Sequence, residues 1–405
     1  MNDIHSHKYN KYKNKVDKLT QLINQHGGNI YSIDGKQQVE PSSILQRFGV
    51  FGQKHLSKIG LQQYTTDKVT TEKCSAMGKK STPADLINFA KTYKLDHATM
   101  KECDGTGSIE ECFNKSDTPF SSMNDLFIRS RKGLPLDDPI IKESSKHSFD
   151  IVSPADCYAT MFENEATAKE LWIKGKSFTL DNLFFGASPE MPARKAFSFL
   201  SSPETAKSQK INDSYGVIIF RLAPHHYHRY HTPVNGQLMS IKKLGTKFLS
   251  VQPSLVASSN VYTENVRIVL EIKTVANSII YLAIIGATCV GSIVFTSPEI
   301  VKPYYDANLL EFKENSTVQF SDADTSEKLI KFNEYLQTNV VNISQNEYLG
   351  NFQYGGSTLV CAYDTNVYSA SCKFGNIISD RTKIGQHETE IKVGDAVVVH
   401  SPKTL

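Results

Sequence analysis

Apolar residues follow a helical spacing in the first part of the chain and a strand-like pattern in the second part. Residues 82–85 (Thr-Pro-Ala-Asp) place a proline at the first helical position and an acid in the first turn, which is typical of a helix start. Leu86, Phe89, Ala90 and Tyr93 then form one apolar face. We therefore predict a helix here, and a mainly helical structure for about the first 130 residues.

Two weaker helical patterns precede this helix. A short one covers Val16–Ile23, inside a polar and basic segment, and an irregular amphipathic one covers Leu45–Leu61. The second pattern also carries Lys54 and Lys58, which suit either a solvated helix face or attraction to an anionic membrane surface. Both interpretations of this basic stretch remain open from the sequence.

After Ile151 the pattern changes to short β-branched and apolar runs that turn residues separate. Such runs predict a mainly antiparallel β domain, so the expected fold class is α+β. The predicted strands are Gly216–Leu222, Lys247–Val251, Val266–Thr274, Ile279–Ile285, Gly291–Thr296, Ser357–Tyr363 and Ala396–His400.

These patterns predict three regions. Residues 1–45 form a polar basic N-terminal segment, residues 46–135 a helical region suited to membrane association, and residues 136–405 a β-rich domain. A polar stretch at about 300–345 indicates an insertion in the β domain. One helix is predicted within it, from the spacing of Leu329, Ile330, Phe332 and Leu336.

Composition and charge narrow the class of protein. The 405 residues carry a formal net charge of +3, which is too small to predict a nucleic-acid partner. The polar N-terminus lacks the apolar core of a secretory signal, so no such signal is predicted. Ser278–Phe295 is the longest apolar run, but glycines and hydroxyl residues interrupt it, so we predict two buried strands instead of a membrane span.

The seven cysteines show no Cys-x-x-Cys spacing and their number is odd. This pattern predicts reduced thiols, and neither a disulfide framework nor a zinc site.

The candidate chemistry begins at residues 354–358, Tyr-Gly-Gly-Ser-Thr, directly before an apolar strand. Two glycines allow an unusual backbone, and the hydroxyl of Ser357 follows the carbonyl of Gly356, which it can attack. By itself this motif also suits a plain turn into a strand.

Three upstream segments favour the chemical interpretation. They are Ile151–Cys157 (Ile-Val-Ser-Pro-Ala-Asp-Cys), Phe220–Gly236 (with Arg-Leu-Ala-Pro and Tyr-His-Arg-Tyr-His) and Ile285–Ile293 (Ile-Gly-Ala-Thr-Cys-Val-Gly-Ser-Ile). In this order, with the Gly-Gly-Ser-Thr motif last, the chain resembles the phosphatidylserine decarboxylase family. The segments Met123–Arg129 and Trp172–Gly175 support the resemblance, which runs from about Phe51 to the end.

The resemblance implies a proenzyme that cuts itself between Gly356 and Ser357. The products would be a β chain of residues 1–356 and an α chain of residues 357–405 that stay associated, with Ser357 converted to an N-terminal pyruvoyl group. Matching the family's roles by motif makes His231 the general base and Asp156 its carboxylate partner. His228 matches the histidine near the substrate, where it would bind substrate or transfer a proton.

The implied reaction converts phosphatidylserine to phosphatidylethanolamine and CO2 at a membrane surface. The protein would then be peripheral, on the cytosolic face of an internal membrane, or cytoplasmic. An alternative on the same scaffold is a decarboxylase of free amino acids, including aromatic ones. A third reading is an inactive lipid-binding relative, which the intact Gly-Gly-Ser-Thr motif, Asp156 and His231 argue against.

Some site residues have other readings. Asp156 could cap a turn, and the histidines at 225, 226, 228 and 231 could bind a metal, although no metal is predicted. The residues from Gly286 to Gly291 have the spacing of a phosphate loop without its Lys-Ser/Thr, so close backbone packing is favoured. The chain also departs from the family at His226, where an aspartate is usual, and we expect an effect on substrate choice.

Overall fold

The computed structural model describes residues 29–31, 37–39, 78–103, 107–114, 120–132, 149–171, 178–186, 214–249, 251, 260–287, 293–320, 325–355, 357–370 and 388–401. The helical patterns predicted at Val16–Ile23 and Leu45–Leu61 lie outside these residues. The same holds for Gly356 and for the Trp172–Gly175 motif.

Eight α-helices occur in the described part of the chain, and three of them precede the β domain. Two short 3-10 helices, His97–Thr99 and Lys101–Cys103, lie between the first two α-helices. The helices are α1 (Pro83–Thr92), α2 (Ile109–Phe113), α3 (Met123–Phe127), α4 (Glu165–Leu171), α5 (Leu180–Phe185), α6 (Val261–Glu264), α7 (Pro298–Ala307) and α8 (Thr325–Thr338).

The strands fall mainly in the second part of the chain, as the sequence predicts. They are β1 (Asn29–Tyr31), β2 (Gln37–Val39), β3 (Ile151–Val152), β4 (Cys157–Phe162), β5 (Tyr215–Leu222), β6 (Arg229–His231), β7 (Gly236–Leu244), β8 (Arg267–Thr274), β9 (Ile279–Gly286), β10 (Ile293–Phe295), β11 (Val318–Gln319), β12 (Asn342–Ile343), β13 (Tyr348–Phe352), β14 (Ser357–Asp364), β15 (Tyr368–Ala370), β16 (Glu388–Ile391) and β17 (Ala396–His400).

These strands form three sheets. The largest has the order β12-β7-β8-β9-β14-β5-β4-β16-β1-β2, a second has the order β11-β10-β13-β6, and a third has the order β15-β17-β3. Strands β1 and β16 pair in parallel, whereas the other described pairs are antiparallel. The predicted fold class, α+β with a mainly antiparallel β domain, is confirmed.

Strand β14 lies in the interior of the largest sheet, between β9 and β5. Leu359 and Cys361 face one hydrophobic core, while Val360 and Ala362 face another on the opposite side of the sheet. Both faces of the strand are therefore covered, which explains why its sequence is continuously apolar instead of alternating.

The predicted helix start at residues 82–85 is confirmed by α1. The Thr82 side chain accepts a hydrogen bond from the Asp85 backbone N–H, and the Asp85 carboxylate accepts one from the Thr82 N–H, which is a capping box. The apolar face is buried at Leu86, Phe89 and Ala90, as the spacing predicts. The helices before the β domain thus have a core of their own.

The prediction of reduced thiols throughout is wrong for one pair. Cys103 and Cys112 form a disulfide between the second 3-10 helix and α2, with 5.2 Å between their Cα atoms. Nine positions separate them, and the turn between the two short helices brings them together, which spacing rules do not capture. Cys157 and Cys361 are free and buried, whereas Cys74, Cys289 and Cys372 lie outside the described residues.

The strand predicted at Lys247–Val251 is wrong. Lys247 makes an isolated bridge to Asn265, and the side-chain amide of Asn265 bonds to both the N–H and the C=O of Leu249. A side chain thus satisfies the backbone groups that a neighbouring strand would otherwise pair.

The predicted insertion contains two helices instead of one. Helix α8 is the predicted one, with Leu329, Phe332 and Leu336 buried, although Ile330 is exposed. Helix α7 was missed because Pro303 lies inside it, and proline normally ends a helical pattern.

The long apolar run Ser278–Phe295 forms β9 and β10, so the prediction of buried strands is confirmed. Glycines and hydroxyl residues divide it, and the two strands belong to different sheets. No helix in the described part of the chain is both long and apolar enough to cross a bilayer.

Candidate active site

Ser357 is the first residue of β14 and is completely buried. It lies opposite Leu222 on β5 and Gly286 on β9, which fixes its place in the sheet. Two residues earlier, Gly355 has φ of +147°, a conformation that a side chain would strain. The unusual backbone predicted at the two glycines is therefore confirmed for Gly355.

His228 is the predicted site residue that contacts Ser357. Its Nδ1 lies 3.3 Å from Ser357 Oγ, and its Nε2 donates to the Ala223 carbonyl oxygen at 2.9 Å. A carbonyl can only accept a hydrogen bond, so Nε2 carries the ring proton and Nδ1 is left to accept the Ser357 hydroxyl. Burial lowers the pKa of His228 well below its usual range, and the charge of Arg129 acts in the same direction. The ring is therefore neutral.

Helix α3 holds this histidine in place. The Phe127 ring stacks on the His228 ring with their centroids 3.5 Å apart. Just beyond the helix, Arg129 donates hydrogen bonds to the carbonyl oxygens of His225 and His226. At the start of the helix, Asn124 Oδ1 accepts the Tyr354 N–H at 2.9 Å. One short helix thus positions both His228 and the chain leading into the Gly-Gly-Ser-Thr motif.

His231 is buried on β6, and both of its ring nitrogens are occupied. Nδ1 donates to the Asn346 carbonyl oxygen at 2.9 Å, so Nε2 accepts the Tyr227 hydroxyl at 3.1 Å. Burial lowers the pKa of His231 to about 4, although the Asn346 hydrogen bond and the charge of Asp156 raise it in part. This ring is also neutral near pH 7.

Asp156 is buried in the loop that precedes β4. Its Oδ1 accepts the Val393 N–H at 2.9 Å and pairs with the Arg131 guanidinium. The His231 N–H donates to the Pro154 carbonyl oxygen at 2.8 Å, so the same loop also contacts the histidine strand. Asp156 therefore acts on His231 through its charge, while its hydrogen bonds go elsewhere.

The structure thus brings Ser357 and His228 into direct contact and places His231 and Asp156 in an adjoining group. Among the described residues, no hydrogen bond joins His231 to Asp156 or to Ser357. The roles of general base for His231 and carboxylate partner for Asp156 stay predictions, and so does the cleavage position at Gly356.

His225 and His226, together with Glu390, form a candidate metal site. The ligand atoms of His225, His226 and Glu390 lie within 4.8 Å of one another. However, His226 Nδ1 accepts the Ala223 N–H at 2.9 Å, so the ring proton is on Nε2, which faces Glu390. The nitrogen that faces the carboxylate therefore lacks the lone pair that a metal ion needs.

Several supporting residues were not singled out from the sequence. Phe127 and Arg129 lie in the Met123–Arg129 motif, which was noted only as a match. The sequence signal for Tyr227 was its position between the site histidines. Asn346 contributes only its backbone carbonyl, so residue type carried no signal. Of the four histidines, His231 lies in β6, whereas His225 and His226 lie in a turn before it.

Known proteins match the part of the chain that contains these site residues. A family model described as phosphatidylserine decarboxylase matches residues 124–398. The chain belongs to the phosphatidylserine decarboxylase family. The match begins in α3 and includes all the site residues above, whereas α1, α2 and the disulfide precede it.

Relatives with this name come from fungi and bacteria. Phosphatidylserine decarboxylase proenzyme 2 of Komagataella phaffii is 28% identical over 324 residues, covering 80% of this chain and 24% of that protein. The proenzyme 2 of Saccharomyces cerevisiae is 27% identical over 292 residues, covering 71% of this chain and 19% of that protein. The proenzyme of Fusobacterium nucleatum is 29% identical over 291 residues, covering 72% of this chain and 71% of that protein. The chain thus spans about a quarter of the length of the fungal relatives or less.

Proposed function

We propose that this protein is a self-processing, pyruvoyl-dependent decarboxylase that converts phosphatidylserine to phosphatidylethanolamine and CO2. The observation that carries the proposal is the buried Ser357 hydroxyl, which follows a positive-φ glycine and faces the acceptor nitrogen of a neutral histidine 3.3 Å away. Burial and the unusual backbone prepare this hydroxyl for attack on the preceding carbonyl, whereas the contact with His228 places that ring for the later decarboxylation step.

Self-cleavage would proceed as follows. The Ser357 hydroxyl loses its proton to a base and attacks the Gly356 carbonyl carbon, which converts the peptide bond to an ester. Elimination then releases the β chain as a carboxylate, and addition of one water releases ammonia and leaves the pyruvoyl group on the α chain. No external oxidant is needed, because the loss of the hydroxyl oxygen and the hydrolysis of the resulting imine balance the reaction.

The residues present fit such a group at position 357. Ser357 is buried, so a ketone formed there is shielded from water. When formed, the pyruvoyl group supplies an electron sink for the carbanion that decarboxylation leaves. His228 would then lie against the reacting centre, where it can hold or deliver a proton. The stacked Phe127 ring provides an apolar wall beside it.

Purified protein tests the proposal directly. We expect two chains on a denaturing gel, residues 1–356 and 357–405, with the smaller chain blocked at its N-terminus by pyruvoyl in mass spectrometry. Ser357→Ala should remain one chain because the nucleophile is gone. An uncut wild-type protein with full decarboxylase activity would contradict the proposal.

Product analysis decides the substrate. Supplied with phosphatidylserine and a panel of free amino acids, the protein should release CO2 from the phospholipid alone. CO2 from a free amino acid would instead support the alternative decarboxylase, and no turnover of any of them would support an inactive lipid-binding relative.

A phospholipid substrate also requires contact with a membrane surface. We propose peripheral binding on the cytosolic face of an internal membrane, supported by the basic and apolar residues of Leu45–Leu61. Binding to phosphatidylserine vesicles should weaken as salt is raised, and charge reversal at Lys54 and Lys58 should weaken it further without stopping self-cleavage. If neither raised salt nor charge reversal weakens vesicle binding, Leu45–Leu61 is not the membrane-binding segment.

A further inference from the structure

Three hydrogen bonds meet at Ala223, the residue that follows β5. Its carbonyl oxygen accepts the His226 backbone N–H at 2.9 Å and the His228 Nε2–H, also at 2.9 Å. Its own N–H donates to His226 Nδ1 at 2.9 Å. Ala223 therefore joins the His226 side chain to the His228 ring.

The acceptor role of His226 requires a neutral ring with the proton on Nε2. Burial lowers the pKa of His226 well below its usual range, and the charges of Lys392 and Arg221 act in the same direction. Nδ1 is consequently free of a proton near pH 7 and can accept the Ala223 N–H. The Nε2–H faces Glu390 Oε1 at 3.9 Å.

The surroundings leave the His226 ring little freedom. It is 3% exposed and lies against the Tyr158 ring, with the centroids 4.6 Å apart. Arg129 bonds to the carbonyl oxygen of the same residue at 3.1 Å. A buried Ala223 N–H without this ring would have no acceptor, which costs about 1–3 kcal/mol and favours movement of the turn.

We propose that His226 is a positioning residue that fixes the orientation and tautomer of His228 through Ala223. With Ala223 held, its carbonyl takes the His228 Nε2–H and leaves Nδ1 directed at Ser357. The inference deepens the proposed function, since it rests on His228 acting at the reacting centre. It also explains how a histidine can stand where the family usually has aspartate, because either side chain can accept a backbone N–H.

A matched pair of substitutions separates the hydrogen bond from the bulk of the ring. In asparagine, Oδ1 occupies the place of histidine Nδ1, one bond beyond Cγ, and can accept the Ala223 N–H. In leucine, Cδ1 occupies the same place but cannot accept a hydrogen bond. We expect His226→Asn to stay within about threefold of wild type and His226→Leu to lose about tenfold or more in kcat, with KM little changed. The loss should fall on decarboxylation, the step that His228→Ala is expected to impair.

A direct measurement of the tautomer complements the kinetics. In the uncut Ser357→Ala chain with 15N-labelled histidine, NMR should show His228 protonated at Nε2 and bare at Nδ1. The asparagine variant should keep this state, and the leucine variant should show a mixture of tautomers. An unchanged His228 tautomer together with unchanged kcat in the leucine variant would overturn the proposal.

His225→Leu is the control for a nearby histidine that does not bond to Ala223. Positioning predicts a much smaller loss of kcat for this variant than for His226→Leu. Equal losses in His225→Leu, His226→Leu and His226→Asn, reversed by added Zn²⁺, would overturn positioning in favour of a metal site. If His228→Ala impairs neither step, the proposed function of His228 fails, whereas the NMR result still decides whether His226 controls its tautomer.

Discussion

Two neutral imidazole rings at the site differ in the charges around them. Asp156 raises the pKa of His231 and so favours the protonated ring that a base becomes, whereas Arg129 lowers the pKa of His228. His228 is the ring in contact with Ser357, but His231 is better suited to keep a proton. At the scale of single residues, contact and proton affinity therefore point to different histidines.

Single substitutions separate these roles. We expect His231→Ala to remain uncut, because it removes the proposed base. Asp156→Asn should be cut more slowly, because the protonated His231 ring then lacks the negative charge that stabilises it. His228→Ala should be cut and then decarboxylate slowly. Timed denaturing gels and CO2 release measure the two steps. The reverse result, with His228→Ala uncut and His231→Ala cut, would make His228 the base.

A pair of carboxyl groups near His231 predicts a pH dependence of stability. The Ser297 hydroxyl lies 2.6 Å from Glu347 Oε1 and 2.9 Å from Glu299 Oε2. Burial raises the pKa of Glu347 to about 7, while the hydrogen bond with Glu347 lowers the pKa of Glu299. The two groups thus share one proton, which we assign to Glu347 because it is the more buried carboxyl.

The sign of the effect follows from this raised pKa. Between about pH 4.5 and 7 the folded carboxyl pair keeps a proton that the unfolded chain releases, so the contribution of this pair to the free energy of unfolding falls as pH rises. Partial exposure screens the effect, and we expect a fall of about 1–2 kcal/mol. Urea unfolding at pH 5 and pH 8 measures it as the difference between the Ser357→Ala chain and the same chain with Glu347→Gln, because the buried neutral histidines add an opposite rise with pH to both chains. An equal change with pH in the two chains would exclude the carboxyl pair.

Residue types at the site could be predicted from the sequence, but their partners could not. Ser357, His228, His231 and Asp156 carry the chemistry in their side chains, and their motifs are specific. The contributions of Ala223 and Asn346 come from backbone carbonyls, which any residue type possesses. Such backbone contacts depend on the path of the chain, so they cannot be predicted from residue type.

At the scale of elements, β5, β4 and β16 are tied by a buried ion pair. Arg221 on β5 bonds to Glu388 on β16 through Nε–Oε1 at 2.6 Å and Nη2–Oε2 at 2.5 Å. The guanidinium also lies over the Tyr158 ring of the strand between them, 5.1 Å from its centroid. After the proposed cut, this pair would join the two chains.

Loss of one partner should be costly. Glu388→Gln leaves the buried Arg221 without its counter-charge, and we expect the free energy of unfolding to fall by about 3–5 kcal/mol. Urea unfolding of the Ser357→Ala chain measures the change without interference from cleavage. Glu327→Gln, which removes the exposed Glu327–Lys331 pair, should change it little. Equal effects in the two variants would show that burial of the Arg221 pair is unimportant.

The disulfide predicts a redox-dependent stability of the helical region. It closes a loop of nine positions, and we expect its removal to cost about 2–3 kcal/mol. Reductant should therefore make residues 78–132 of the wild type more sensitive to an added protease. In a Cys103→Ser/Cys112→Ser protein, the protease should digest this region equally fast with or without reductant. Proteolysis of wild type that does not depend on reductant would contradict a structural role.

Elements were predicted well where one physical signal dominated. Helices α1 and α8 and strands β5, β8, β9 and β14 follow from apolar spacing. Strand β7 was missed because polar residues such as Lys242 and Lys243 interrupt its pattern, and β13 because glycine and asparagine have low strand propensity. In these strands tertiary pairing outweighs local preference.

At the scale of the whole molecule, the interior position of β14 predicts that the two chains would stay together after the proposed cut. β14 pairs with β9 and β5 along its length and is covered on both faces. The processed protein should therefore elute from a sizing column as one species containing both chains. Separation of the small chain under native conditions would contradict the sheet order.

If the chain is cut before β14 as proposed, the mature protein would be unable to refold by the route it first followed. The uncut chain folds in a unimolecular reaction, whereas its separated products would have to meet in solution, so refolding becomes dependent on concentration. At high dilution, unfolding of this cut form would then be irreversible, and its lifetime would be set by the height of the unfolding barrier. The proposed self-processing would thus exchange reversible folding for a reactive group, and a cut chain would show that the molecule had once folded correctly.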